Sequence, residues 1–173
     1  MTIHRTRALL PILVVGVLLV VSGCAVGTIS PRTTPPPPSP PNPFEQGLLD
    51  EVNRYRASRG LATLKLNDVM TAQARLHSMN MSIGSVRFGH DGFKERAGRI
   101  RSYISVLEIS ENLAVNKGYP DPVSVAFRTL MASPGHRRNI EGHFDMTGIG
   151  VAKSSDGTIF FTQMFADGQG RFR

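Results

Sequence analysis

Three short stretches of the chain place imidazole and carboxylate groups where the apolar pattern gives them no packing role. They are Phe88-Gly89-His90-Asp91, Glu108-Ile109-Ser110-Glu111-Asn112-Leu113-Ala114 and Ser133-Pro134-Gly135-His136-Arg137-Arg138-Asn139-Ile140. Neutral imidazoles and carboxylates are groups that hold a divalent metal, move protons, or tie loops together by hydrogen bonds. Ser133 stands near His136 as a nucleophile would stand near its base, but its place just before Pro134 accounts for it as a helix cap. His77 lies beside Leu76 and Met79 on an apolar stretch, where a hydrogen-bonded packing histidine is expected ahead of a ligand. Asn112 reads as a structural amide that caps or closes a turn. His143 carries no assignable role.

The elements that must position these groups follow from periodicity. From Phe44 to Arg59, Leu48, Leu49, Val52 and Tyr55 recur at helical spacing, while Glu45, Asp50, Glu51, Arg54, Arg56 and Arg59 take the other face and Gly60 marks the stop. Asn67 or Asp68 caps a second helix, running to about Met81, whose apolar face is Val69, Ala72, Leu76 and Met79. Gly84 to Gly92 is expected to be a loop, Phe93 to Ile104 a basic helix, and Ser110 to Val115 a short strand or turn. Asp121-Pro122 opens a helix with Val123, Ala126, Phe127, Leu130 and Met131 inward, and Ser133-Pro134 opens another that ends near Ile140. Thr147 to Ala152 and Thr158 to Ala166 flank Ser155-Asp156-Gly157, which predicts a hairpin. Helices first and a hairpin last predict an α+β fold, with helices covering a small, mostly antiparallel sheet.

The N-terminal region predicts export. His4, Arg5 and Arg7 precede an apolar run, Ala8 to Val21, of about fourteen residues, and Ser22-Gly23 lead directly to Cys24. That run is short of the roughly 20 residues a spanning helix needs, so it reads as a secretory signal, the alternative being an uncleaved, tilted anchor. Val21-Ser22-Gly23-Cys24 resembles the bacterial lipobox, which implies cleavage before Cys24 and a lipid on it. Cys24 is the sole cysteine, so no intramolecular disulfide forms and the domain is held by its core. Pro31 to Pro43 contains eight prolines in thirteen residues and is expected to be an extended spacer of about 40 Å. The expected organisation is a signal at 1–23, a lipidated cysteine with its linker at 24–43, a domain at 44–168 and a short tail at 169–173, with the protein on the extracytoplasmic face of the cell membrane.

The formal charge is +7, and loss of Arg5 and Arg7 with the signal leaves +5, from 18 Lys and Arg against 13 Asp and Glu. Clusters at Arg96, Arg99, Arg101 and at Arg137, Arg138 lack aromatic interleaving or a nucleic-acid motif. Attraction to anionic lipid headgroups or envelope polymers is the more economical reading, and no nucleic-acid partner is expected.

The segments that carry the titratable groups resemble the signature stretches of the CAP superfamily, shared by cysteine-rich secretory proteins, antigen 5 and pathogenesis-related proteins, in its bacterial form. Val52 to Leu61 is similar to the opening VNxYRxxxGL helix and Ala74 to Met81 to the AxxHxxxM helix; His90, Glu111-Asn112, Ser133 to Ile140, Ile149 to Ala152 and Thr162-Gln163-Met164-Phe165 follow in order. The resemblance implies an α-β-α sandwich with a shallow cleft. It implies that His90 and His136 are the cleft histidines and Glu111 the cleft glutamate, a set whose chemistry suits zinc or a similar divalent metal.

The chain departs from that pattern at several points. Leu130-Met131-Ala132-Ser133 stands where a second glutamate often follows an aromatic residue, so the acidic pair for general acid and base work is missing. Ser110 replaces the glycine before Glu111-Asn112, Leu130 replaces a common tryptophan, and Glu141, near His136 in sequence, is the one acid placed to substitute. These departures weigh against catalysis. The expected function is therefore a membrane-anchored binding module for a lipid, a wall fragment or another envelope partner. The alternative is a metal-dependent hydrolase, acting on peptide or wall, in which His90 and His136 hold the ion and Glu111 is ligand or base.

Overall fold

The computed structural model describes residue 37 and residues 39–168. The expected signal, Cys24, most of the linker and the short tail lie outside the described residues. Helix α1 (Pro43–Ser58) begins at a reciprocal cap: Asn42 Oδ1 accepts from the Phe44 and Glu45 amides at 2.9 and 3.0 Å, and Glu45 Oε2 accepts from the Asn42 amide at 2.8 Å. Strand β1 (Lys65–Leu66) leads into α2 (Asp68–Ser82), where Asn67 is the cap, accepting from the Met70 amide at 3.1 Å. Then come α3 (Phe93–Arg101), β2 (Val106–Lys117), α4 (Pro122–Ala132), α5 (Pro134–Glu141), β3 (Met146–Lys153) and β4 (Thr158–Gly168).

The strands form one sheet in the order β1-β3-β4-β2, with β1 parallel to β3 and the other pairs antiparallel. Side chains alternate across it. On one face, Ile149, Ile159, Phe161, Phe165 and Ala114 pack with Leu48, Leu49 and Val52 of α1, Ala126 and Leu130 of α4, and Ile140 of α5. On the other, Ile109, Met164 and Ala166 pack with Val69, Met70 and Ala74 of α2 and Ala97 and Ile100 of α3. The result is the expected α-β-α sandwich with a mostly antiparallel sheet.

Four local expectations are corrected. The stretch Ser110 to Val115 is the middle of a twelve-residue strand, β2, because Val106 to Lys117 pairs along β4 past a single irregularity. Helix α3 ends at Arg101, three residues short of Ile104. Glu45 and Arg56 of α1 are buried, not solvent-facing. The Arg56 guanidinium donates to the carbonyls of Ala62, Ile140, Gly142 and Phe144 at 2.6–3.0 Å, so the turn after α1 and the connection from α5 to β3 are tied together through it, and burial pulls its pKa below the usual arginine value.

The fourth correction concerns α2. Its buried face is Val69, Met70, Thr71, Ala74, His77, Ser78 and Met81, whereas Leu76 and Met79 are exposed. The reason is the floor it lies on. Gly148 and Gly150 of β3 have no side chains, so the α2 backbone at Met70 to Arg75 sits directly on the strand. At the closest approach the helix presents Thr71, Ala74 and Ser78, and Ser78 Oγ completes it at 2.8 Å from both Gly150 O and Thr162 Oγ1.

Candidate functional site

Strand β2 is an edge of the sheet, and it is where the two helical layers meet. Adjacent residues on a strand point to opposite faces, so Glu111 turns toward α3 while Asn112 turns toward α5. Asn112 Nδ2 donates to the His136 carbonyl at 2.9 Å, and Asn139 Nδ2 donates to Asn112 Oδ1 at 2.8 Å. Asn112 is therefore the structural amide expected of it, and it seats α5. Ser133 caps α5 through its hydroxyl, which accepts from the His136 amide at 3.5 Å.

On the other face, the Glu111 carboxylate is 1% exposed and is gripped by Arg96 of α3, itself 11% exposed. Arg96 Nε donates to Oε2 at 2.9 Å and Nη2 to Oε1 at 2.8 Å, a two-pronged pair. Arg96 Nη1 also donates to the Asp91 carbonyl at 2.8 Å, which fastens the loop between α2 and α3. The same loop is held from below, because buried His77 meets the Gly89 carbonyl through Nε2 at 2.9 Å. His77 is thus a packing histidine. Between these two anchors the half-exposed His90 presents Nδ1 to Glu111 Oε1 at 3.0 Å. When Nδ1–H donates to the carboxylate, Nε2 is left as the lone-pair nitrogen of the neutral ring.

The His136 ring completes the group, with its centroid 6.2 Å from that of His90 and the planes 57° apart. His136 Nδ1 is buried without a hydrogen-bond partner among the described residues. Three side chains from loops and elements far apart in the chain therefore share one cluster. Arg96 was not singled out as a site residue by sequence reasoning; its position on a helix rich in arginine reads as solvated surface, and only its adjacency to buried Ala97 marks it as a boundary position. Glu141 stands apart in another role, accepting from the Tyr55 hydroxyl at 2.5 Å, which raises the Tyr55 pKa.

The cluster does not fit the zinc ligand set that the sequence allowed. Zinc enzymes use three protein ligands and an open position. Here both Glu111 oxygens are committed to Arg96, and among the described residues no three His, Cys, Asp or Glu side chains are disposed to hold a metal ion. Two imidazoles over a neutralised carboxylate remain. An apolar shelf lies on the same face of the sheet: exposed Phe88 tilts over Phe160 with centroids 6.3 Å apart, and exposed Val115 is the β2 partner of Phe160.

His77 and His136 are both pulled below the ordinary histidine range. Burial is the first cause in each, with repulsion from Arg96 adding at His77 and from His90 at His136. In the unfolded chain they take protons near pH 6.5. As pH falls below that value the unfolded state binds more protons than the folded one, so stability is present above it and is lost toward lower pH. The thermal midpoint is expected to be lower at about pH 5 than at about pH 7.5, and His77→Gln to shrink that difference. An undiminished difference in the variant would take His77 out of the account.

Comparison with known proteins agrees with this architecture. The sequence pattern of the cysteine-rich secretory protein family, CAP, matches residues 49–165. The uncharacterized protein YkwD of Bacillus subtilis is 30% identical over 137 residues, which are 78% of this chain and 51% of YkwD, so the chain spans about half of that relative's length. An outer surface protein from Borrelia burgdorferi superposes with a TM-score of 0.60 at 19% identity, covering 73% of this chain and 93% of its own. An extracellular protein containing an SCP domain from Bacillus anthracis superposes with a TM-score of 0.57 at 24% identity, covering 75% of this chain and 45% of its own. With the family pattern spanning the two helical layers and the sheet between them, the chain belongs to the cysteine-rich secretory protein family, as a bacterial-type CAP domain.

Proposed function

We propose that this protein is an extracytoplasmic, lipid-anchored CAP-domain binding module whose cleft at the outer edge of β2 takes an amphipathic envelope ligand, a lipid ahead of a wall fragment. The observation that carries the reading is the pairing of Arg96 with Glu111: it removes the carboxylate from proton and metal chemistry and uses it to orient His90. What is left at the surface is the half-exposed His90 ring, with the partly buried His136 ring next to it and an apolar shelf of Phe88, Val115 and Phe160 on the His90 side of the sheet. A polar end and an apolar end side by side are the recognition features of a lipid headgroup and its chain. The signal, Cys24 and the net positive charge support a position at an anionic membrane surface, in keeping with relatives named as extracellular and outer surface proteins.

Equilibrium binding of the purified protein to vesicles of anionic phospholipid, and to soluble wall glycan fragments, tests the proposal. Saturable vesicle binding is expected, weakened about tenfold or more by His90→Ala and by Phe88→Ser, which corresponds to about 1.4 kcal/mol each. Binding to glycan fragments alone would move the ligand class from lipid to wall. No interaction above background with either probe removes the binding module.

A further inference from the structure

A groove of about 300 Å³ lies between α2 and α3, bordered by Gln73, Leu76 and Asn80 of the first, Glu95 and Arg99 of the second, and Val86 of the loop that joins them. Gln73 and Asn80 are two helical turns apart, so they stand on one side of α2 with Leu76 between them. Hydrogen bonds fix the frame of this groove. The Asn80 carbonyl accepts from the Ser85 and Val86 amides at 2.9 and 3.3 Å, which folds the chain back and sets Val86 as a wall. Arg96, which also borders the groove, is held by Glu111 and by the Asp91 carbonyl, and buried His77 is tied to the Gly89 carbonyl.

The polar side chains along the groove are, by contrast, unpaired. Gln73 Oε1 is closed off from solvent and has no hydrogen-bond partner among the described residues. The side chains of Asn80, Glu95 and Arg99 make no hydrogen bond or ion pair among those residues either. Glu95 and Arg99 are one turn apart on α3, a spacing at which opposite charges commonly meet, and still they do not pair. An orphaned amide oxygen is costly, so a partner that draws the Gln73 side chain into the groove relieves it. A fixed frame around unpaired donors and acceptors is the arrangement of a ligand pocket, because little has to be ordered when the ligand arrives.

We infer that this groove binds an acetamido sugar residue of an envelope glycan, at a site separate from the cleft. An acetamido group is itself an amide, with one N–H donor, one carbonyl acceptor and a methyl at its end. Gln73 and Asn80 each carry the complementary donors and acceptor, and Leu76 and Val86 receive the methyl. Ring hydroxyls donate and accept at once, which matches Glu95 as acceptor and Arg99 as donor. An anionic ligand would be repelled by Glu95 and would leave the amide oxygens without donors. A purely apolar one would strip water from four polar side chains and pair none of them. The inference shares only the extracytoplasmic setting with the reading of the cleft and does not depend on what the cleft binds.

N-acetylated chitotriose and cellotriose share one β-linked backbone and differ only in carrying acetamido groups or hydroxyls, so the pair isolates the group the groove is inferred to read. Titrated into the purified protein and followed by amide chemical shifts, N-acetylated chitotriose is expected to bind about tenfold more tightly than cellotriose, with the shifts gathered around Gln73, Asn80 and Arg99. Gln73→Leu and Asn80→Leu are each expected to weaken it about tenfold. Arg99→Ala, at an exposed position, is expected to weaken it as well and serves as the variant least able to disturb folding. Gln73→Leu is expected to leave vesicle binding unchanged, so the groove and the cleft stand or fall separately. Equal affinity for the two sugars, no binding of either, or shifts confined to His90 and His136 would each overturn the assignment.

Discussion

Glu111→Ala is expected to lower the stability of the domain by about 3 to 5 kcal/mol, read as a fall in the urea midpoint with an unchanged slope. The magnitude follows from what is left behind. Arg96 is almost fully enclosed, and its guanidinium would face the empty space of the deleted carboxylate with two of its donors unsatisfied. The converse substitution, Arg96→Ala, is expected to cost as much, since it leaves a carboxylate 1% exposed with only His90 beside it. The joint replacement Arg96→Met, Glu111→Leu should recover most of the loss, because a buried ion pair and a well-packed apolar pair of similar volume are close in free energy. That double variant separates folding from function. It keeps the layers together but takes away the acceptor that orients His90 Nδ1, so the folded protein is expected to lose the vesicle binding proposed for the cleft. A single-variant loss under about 1 kcal/mol would mean that Arg96 and Glu111 part readily in solution, and the cleft would revert to an acidic one.

Whether a feature of this chain is legible in its sequence depends on how local its cause is. The Asn67 cap of α2, the Asp121-Pro122 start of α4, the Ser133 cap of α5 and the turn of the hairpin are set by residues within four positions of one another, and the structure has them where the residues say. The gathering of His90, Glu111 and His136 follows from the family resemblance and is invisible to periodicity, since nothing local joins a loop, a strand and a helix start. The partner of Glu111 escaped both routes. An arginine on a basic helix looks the same in sequence whether it meets water or a carboxylate fifteen residues away. Buried Arg56 escaped for a similar reason, because its partners are main-chain carbonyls, which every residue possesses. The reading of α2 failed differently. Hydrophobicity assigns Leu76 and Met79 inward, but the sheet offers bare backbone at Gly148 and Gly150, and the helix settles with its Met70, Thr71 and Ala74 backbone on that floor, which turns Leu76 and Met79 outward.

That floor carries the second large prediction. A Cβ added to Gly150 would stand 2.1 Å from the Arg75 nitrogen, 2.2 Å from the Ala74 carbonyl carbon and 2.5 Å from the Ala74 oxygen. All three are main-chain atoms of a helix packed into the sheet, so no side chain can swing aside and α2 must be displaced as a body. Gly150→Ala is therefore expected to cost about 3 kcal/mol, the upper end of what overpacking costs, and to lower the thermal midpoint by roughly 10 °C in a domain of this size. Gly157 provides the control. It has a φ of +89° with nothing within 4 Å, so Gly157→Ala strains one turn, at about 1 to 2 kcal/mol, and moves no helix. The two variants also differ in reach. Displacing α2 moves His77, whose bond to the Gly89 carbonyl supports the loop bearing His90, so Gly150→Ala is expected to weaken cleft binding beyond its effect on folding, whereas Gly157→Ala leaves binding intact. Equal losses in the two variants, with cleft binding preserved in both, would show that α2 can rise off the strand freely and that the glycine floor does not set the position of the site.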